Sequence, residues 1–204
     1  MNSGLLRKTL RDQRRQLPSS IQQHHAKQAL QHLSDLLSQN PAFQTPQNIA
    51  LFLAQDGELE TDTAIQYLWQ QSEHHIYLPV LETQPDWHMG FARYKPDSKM
   101  VRNRFDIAEP DVALNEHLNG EQMDWVFMPL VGFDKQGNRM GMGGGYYDRS
   151  FAFKLQNSRE NQTKLIGWAH SFQQVEQLPK EPWDVPLDGI ITEQGFTDFS
   201  LHRQ

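Results

Sequence analysis

The chain has 204 residues, and its 19 Lys and Arg against 25 Asp and Glu leave a formal net charge of −6. That length holds one good core rather than two full domains, and a mildly acidic surface argues against broad non-specific nucleic-acid binding while leaving room for a local basic pocket. There is no cysteine, which excludes a disulfide scaffold, a Cys-ligated zinc site, an iron–sulfur cluster and a thiol nucleophile. No apolar run approaches the roughly 20 residues of a membrane helix, and no apolar stretch follows the charged N-terminus. The expectation is a soluble, cytoplasmic, single-domain protein spanning 1–204, with no membrane or nucleic-acid partner. No exposed apolar stripe is evident, so a monomer is expected.

Residues 3–17 predict a short helix with Leu6, Leu10 and Leu17 on one face and Arg7, Lys8, Arg11, Arg14 and Arg15 on the rest. Pro18 stops it, and Ser19 or Ser20 is placed to cap a second helix to about Gln39. Residues 49–53 read as a buried strand, 55–60 as a polar loop, a helix follows Thr61, and 76–79 read as the next strand. That alternation is the mark of parallel-sheet construction. The segment 87–94 predicts a strand of the other direction, 95–104 a polar stretch and 105–110 an ordered loop. Strands follow at 125–129, 165–169 and 189–192, with a helix beginning near Tyr146. The pattern predicts an open α/β sheet with helices on both faces, one antiparallel edge strand, and a ligand site where loops leave the C-terminal strand ends.

The chemistry concentrates in Asp134-Lys-Gln-Gly-Asn-Arg139-Met-Gly141-Met142-Gly143-Gly144-Gly145-Tyr146-Tyr147-Asp148-Arg149. Glycines between a strand and a helix let the backbone approach a ligand, and successive amides can form an anion nest at the helix N-terminus. No Gly-Lys-Ser/Thr follows, so this is not a Walker loop, and Tyr146 occupies the third-glycine position of a dinucleotide fingerprint. A flexible surface loop is the plain alternative; the flanking arginines and tyrosines favour a ligand loop. Asp148 would repel a bound phosphate unless a cation intervened, and Mg2+ suits a carboxylate plus phosphate oxygens. Asp188 is the candidate second ligand; a solvated carboxylate at a strand end is the alternative for each. Asp56-Gly57-Glu58-Leu59-Glu60-Thr61 lies at the end of the first buried strand, where a substrate carboxylate belongs; complementing the dipole of the following helix is the plain alternative. The paired histidines at 24–25 and 74–75 lack zinc-ligand spacing and read as solvated or core-satisfied. No Gly-x-Ser-x-Gly elbow supports a hydrolase triad.

On these residues the chain resembles the 5-formyltetrahydrofolate cyclo-ligase (5,10-methenyltetrahydrofolate synthetase) family. The likeness runs through RKTLR at 7–11, LFLAQDGELET at 51–61, VFMPLVGFDKQGNRMGMGGGYYDR at 126–149 and the segment 166–193. It implies a three-layer α/β/α, mostly parallel mixed sheet of the sugar-isomerase and CoA-transferase type. It also implies MgATP-dependent closure of 5-formyltetrahydrofolate, polyglutamylated or not, to 5,10-methenyltetrahydrofolate. By this resemblance Arg7, Lys8, Arg11, Arg139, Gly141, Gly143, Gly144, Gly145, Tyr146 and Tyr147 bind ATP. Glu58, Phe105, Met142, Gly143 to Gly145 and Tyr146 face the folate, Asp148 and Asp188 hold Mg2+, and Arg139, Tyr146 and Asp148 act in catalysis. Some relatives carry lysine at Arg7 and basic residues at Met142 and Gly144. Two other readings share the sheet: a non-catalytic folate binder, and an ATP-independent enzyme acting on sugar phosphates or CoA esters.

Overall fold

The computed structural model describes residues 3–71, 73–81, 88–156 and 163–199. A seven-stranded sheet forms the centre, in the order β11-β10-β9-β6-β1-β2-β3. Its strands are β1 (Asn48–Ala50), β2 (His75–Val80), β3 (Gly90–Arg93), β6 (Trp125–Met128), β9 (Lys164–Trp168), β10 (Gly189–Thr192) and β11 (Gly195–Asp198). The five inner strands run parallel. Every residue of β6 and β10 is buried, as strands covered on both faces require. Both edges are antiparallel, β3 against β2 and β11 against β10. The sequence pattern expected only the first; Trp87, where that strand was placed to begin, lies outside the described residues. The second is a tight hairpin in which Thr192 pairs with Gly195 across Glu193 and Gln194.

Two amphipathic helices cover one face, α2 (Ser19–Gln39) and α3 (Asp62–Gln70). Ala29, Leu33, Ala64, Ile65 and Leu68 pack there against Ile49, Ile76, Phe127, Trp168 and Ile191. The other face is covered by the short α4 (Tyr146–Ser150), 3₁₀ turns and loops, which bring Phe151, Met123, Val185 and Leu187 onto Val126, Met128 and Leu165. The three layers are as expected, but the second helical layer is thin. No helix among the described residues is long and apolar enough to cross a membrane.

Several local expectations shift. The first helix, α1, spans Ser3–Arg15, and Arg14 is not on its solvated side but buried. Neither serine caps α2: Pro18 holds the cap position, and no side chain caps the helix. Thr61 precedes α3 but donates its hydroxyl to the Phe52 carbonyl at 2.5 Å instead of capping. The strand at 49–53 is assigned only to Ala50, although the Leu51 amide continues the ladder to the Tyr77 carbonyl. Within 95–110 lies a second sheet, the hairpin of β4 (Met100–Arg102) and β5 (Ala108–Pro110). A third, β7 (Gly132–Phe133) with β8 (Arg139–Met140), separates β6 from the glycine-rich loop.

Candidate active site

Chain order reverses beside β1: β2 and β3 lie on one side, β6, β9 and β10 on the other. Loops leaving the C-terminal ends of β1 and β6 therefore splay apart and open a crevice. α1 lies across it. Arg14, 1% exposed, donates from Nε to the Asp56 carbonyl (2.8 Å), from Nη2 to Asp56 Oδ2 (2.9 Å) and from Nη1 to the Leu130 carbonyl (3.2 Å). Its Nη1 also stands 3.6 Å from Glu58 Oε1. Arg14 thus bolts both loops to α1. The pattern carried a signal for this, because Arg14 falls on the Leu6, Leu10, Leu17 face at helical spacing.

Asp56 also takes Arg11 Nε at 2.8 Å and Arg15 Nε. Burial alone would raise its pKa, but the three guanidinium hydrogen bonds outweigh that and hold the carboxyl below its usual value. Glu58 is raised instead, because burial outweighs the hydrogen bond from the Gln55 amide and the Arg14 charge.

The glycine-rich loop faces these groups. Asp134, fully buried, holds its hairpin by accepting from the Gln136, Asn138 and Leu178 amides and from Asn138 Nδ2. Arg139, only 5% exposed, donates from Nη2 to Asp148 Oδ1 at 2.5 Å, and the Val185 amide reaches the same oxygen at 3.2 Å. Its Nε is buried and has no hydrogen-bond partner among the described residues. Burial pulls Arg139 below the usual arginine value, opposed by Asp148; guanidinium nevertheless stays charged. Arg7 Nε donates to the Gly141 carbonyl at 2.9 Å and ties α1 to the loop, while Lys8 is exposed. Gly143 and Gly145 adopt φ of +99° and +63°, a region that side chains disfavour. A Cβ on Gly145 would lie 2.8 Å from Arg149 Nη1; on Gly144 it would press the Tyr146 ring at 3.0 Å. Arg149 folds back to the Gly144 carbonyl at 2.9 Å and over the Tyr146 ring. The expected helix-terminus charge is weak, since α4 has five residues; arginines supply the positive field instead.

An aromatic rim closes one side. The β4–β5 hairpin places Phe105 against Tyr146, edge to face at 6.4 Å, and Arg104 Nη2 donates to the Tyr146 hydroxyl at 2.8 Å. Phe105 and Met142 are both more than half exposed. Tyr147 turns inward and stacks on Phe151, and burial pushes its hydroxyl above the usual tyrosine value.

Asp188 precedes β10, where Lys154 Nζ and the Leu165 amide both bind its Oδ2 at 2.9 Å. Val185, just before it in the chain, carries the amide that reaches Asp148. Arg11, expected on ATP, is engaged by Asp56. Of the solvated and core-satisfied readings, His25 takes the second: it meets His170 and Glu193, with ligating atoms all within 4.8 Å, the one such trio among the described residues.

The fold is a three-layer α/β sheet, and glycines and arginines gather at the loops of its C-terminal strand ends, where open α/β sheets bind their ligands. The sequence profile of the 5-formyltetrahydrofolate cyclo-ligase family matches residues 2–193. The 5-formyltetrahydrofolate cyclo-ligase of Haemophilus influenzae is 44% identical over 174 residues, 85% of this chain and 88% of that protein. Its namesake in Escherichia coli K12 is 38% identical over 183 residues, 90% and 96% of the two chains. The NMR structure of Aquifex aeolicus 5,10-methenyltetrahydrofolate synthetase superposes with a TM-score of 0.78 at 28% identity, covering 98% of this chain and 93% of that one. The chain belongs to the 5-formyltetrahydrofolate cyclo-ligase family.

Proposed function

We propose that this protein closes 5-formyltetrahydrofolate to 5,10-methenyltetrahydrofolate while converting ATP to ADP and phosphate. One observation carries the reading: the Arg139 side chain is nearly covered with its Nε unpartnered among the described residues, beside a glycine loop tethered by Arg7, and the half-buried Glu58 lies on the facing loop. Cation donors on one side and a half-buried acceptor on the other suit a phosphate donor and a pterin edge meeting between the loops.

A formamide carbonyl is a poor electrophile because its nitrogen donates into it. Moving the γ-phosphoryl group onto the formyl oxygen breaks the bond to ADP and leaves an imino-phosphate. The folate anilino nitrogen then attacks the formyl carbon and loses its proton, the C–O bond breaks, and phosphate departs. The protein's part is positioning and charge stabilisation. Arg7, Arg139 and the amides of Gly141, Gly143, Gly144 and Gly145 take phosphate oxygens, with Tyr146 and Tyr147 shaping the loop and Lys8 lending charge from α1. Glu58 accepts from the donor edge of the pterin, an interaction strengthened by burial. Phe105, Tyr146 and Met142 offer the apolar rim for the ring system.

Asp148 fits a Mg2+ ion: it is a hard oxygen donor in the turn after the loop, and among the described residues its Oδ1 is engaged, by Arg139 and Val185, and its Oδ2 is not. When bound, Mg2+ would neutralise charge on the transferring phosphoryl group.

The test is a near-UV time course with 5-formyltetrahydrofolate and MgATP, with ADP quantified in parallel. The conjugated product absorbs where the substrate does not. A rise requiring ATP and Mg2+, matched one-to-one by ADP, supports the proposal. A flat trace with folded protein overturns it.

A further inference from the structure

We infer that His170 is a positioning residue for the folate: it braces the left-handed turn that carries Glu58, and His25 holds it in the tautomer able to do so. The inference rests on the folate reading of Glu58 given above.

The turn needs a brace. Asp56 and Gly57 are consecutive residues with φ of +53° and +74°, and the left-handed region is costly for a residue with a side chain. Arginines from α1 hold the Asp56 side. On the other side, His170 Nε2 stands 3.2 Å from the Gly57 carbonyl. A carbonyl only accepts, so Nε2 carries the hydrogen. In a neutral ring that leaves Nδ1 bare, and Nδ1 lies 3.0 Å from His25 Nδ1; His25 is therefore the donor there. His170 is fully buried, and burial pushes its pKa down to about 4, so the ring is neutral near pH 7.

The support extends outward. Glu193 Oε2 lies 3.8 Å from His25 Nδ1, and the Glu193 carboxylate is itself fixed by the Ser171 amide at 2.9 Å and the Ser171 hydroxyl. Phe172 stacks on the His170 ring at 5.3 Å, and the His170 amide donates to Gln173 Oε1 at 2.9 Å. Groups from α2, the end of β9 and the end of β10 thus converge on one ring, whose outward hydrogen reaches the turn beside Glu58. The trio also has the donor types of a metal site. A shared hydrogen already joins the two ring nitrogens, and Ser171 engages both Glu193 oxygens, so hydrogen bonding accounts for the cluster and for its link to Gly57.

The experiment measures KM for each substrate and kcat in the full chain carrying His170→Ala, His170→Gln, His25→Ala or Glu58→Gln. In His170→Ala the KM for 5-formyltetrahydrofolate rises about tenfold, the scale of one lost hydrogen bond, while the KM for ATP moves less than about twofold. His170→Gln keeps an N–H donor and recovers most of the loss. His25→Ala, which removes only the orienting donor, raises the folate KM by about threefold. An unchanged folate KM in His170→Ala, or an equal rise in both KM values, overturns the brace, as does a glutamine variant no better than alanine. If His170→Ala does not fold, His25→Ala decides: an unchanged folate KM overturns the proposal. Glu58→Gln separates the two failures. An unchanged folate KM in Glu58→Gln overturns the folate reading of the turn and the brace's effect with it. A raised one beside an unaffected His170→Ala overturns the brace alone.

Discussion

Arg14 and Arg139 are both buried guanidinium groups, yet they are expected to fail in different ways. All three Arg14 nitrogens are engaged, by Asp56, Glu58 and two carbonyls. Arg14→Ala leaves buried acceptors and a carboxylate uncompensated, and should cost about 3–5 kcal/mol of stability. Urea unfolding measures this; a loss below about 1 kcal/mol, the scale of a surface ion pair, would contradict the burial argument. Arg139 has one carboxylate partner and an unpartnered Nε, so its donors are available to a substrate. Arg139→Ala and Asp148→Ala should each lower kcat by at least about a hundredfold while the far-ultraviolet circular dichroism stays native. Unchanged turnover in both would remove the site assignment. The glycine-arginine motif made Arg139 legible from local pattern. The burial of Arg14 is harder to see in the sequence, because its charge masks its place on the apolar face of the helix.

At the scale of elements, two loops and a hairpin make the crevice. Gly57 lies so close to α1 that a Cβ would stand 2.6 Å from the Arg14 carbonyl, with φ already at +74°. Gly57→Ala should therefore destabilise by about 1–3 kcal/mol and weaken folate binding, since the displaced turn carries Glu58. A melt and a folate titration check both; a neutral substitution would show that α1 yields freely. The β4–β5 hairpin is the other part that shapes the site. Phe105 sits near its tip against Tyr146, and Phe105→Ala should raise the folate KM by about three- to tenfold with little change in melting temperature. Equal KM values would place the folate elsewhere. This hairpin was invisible to hydropathy because every residue of β4 is exposed. The aromatic at its tip was legible only through family likeness.

Across the whole molecule, acid should loosen the fold by a route set by tertiary burial. His170 has a folded pKa of about 4 against an ordinary 6.5. The unfolded chain binds that proton first, so the contribution is full above about pH 6.5 and is lost as the pH falls toward 4. His74, His75 and His117 are lowered by burial and share the sign. Glu58 and Glu60 are raised by burial and oppose it. Urea unfolding between pH 7 and 5 should show stability falling with pH, and His170→Gln should flatten that slope by up to about 1.4 kcal/mol per pH unit. An identical slope in the variant would mean that His170 titrates normally. By itself the sequence determined what local pattern can encode. Short apolar runs marked the five parallel strands, helical spacing marked α1 to α3, and the glycine-arginine segment marked the ligand loop. Tertiary structure decided what depends on where segments meet. Asp188 precedes a strand and pairs with Lys154, whereas Asp148 pairs with Arg139, and the chain order announces neither partner. His25 and His170 are 145 residues apart, yet their ring nitrogens lie 3.0 Å from each other. Spacing along a chain reports which face of an element a residue occupies, while the order in which strands enter the sheet decides its neighbours.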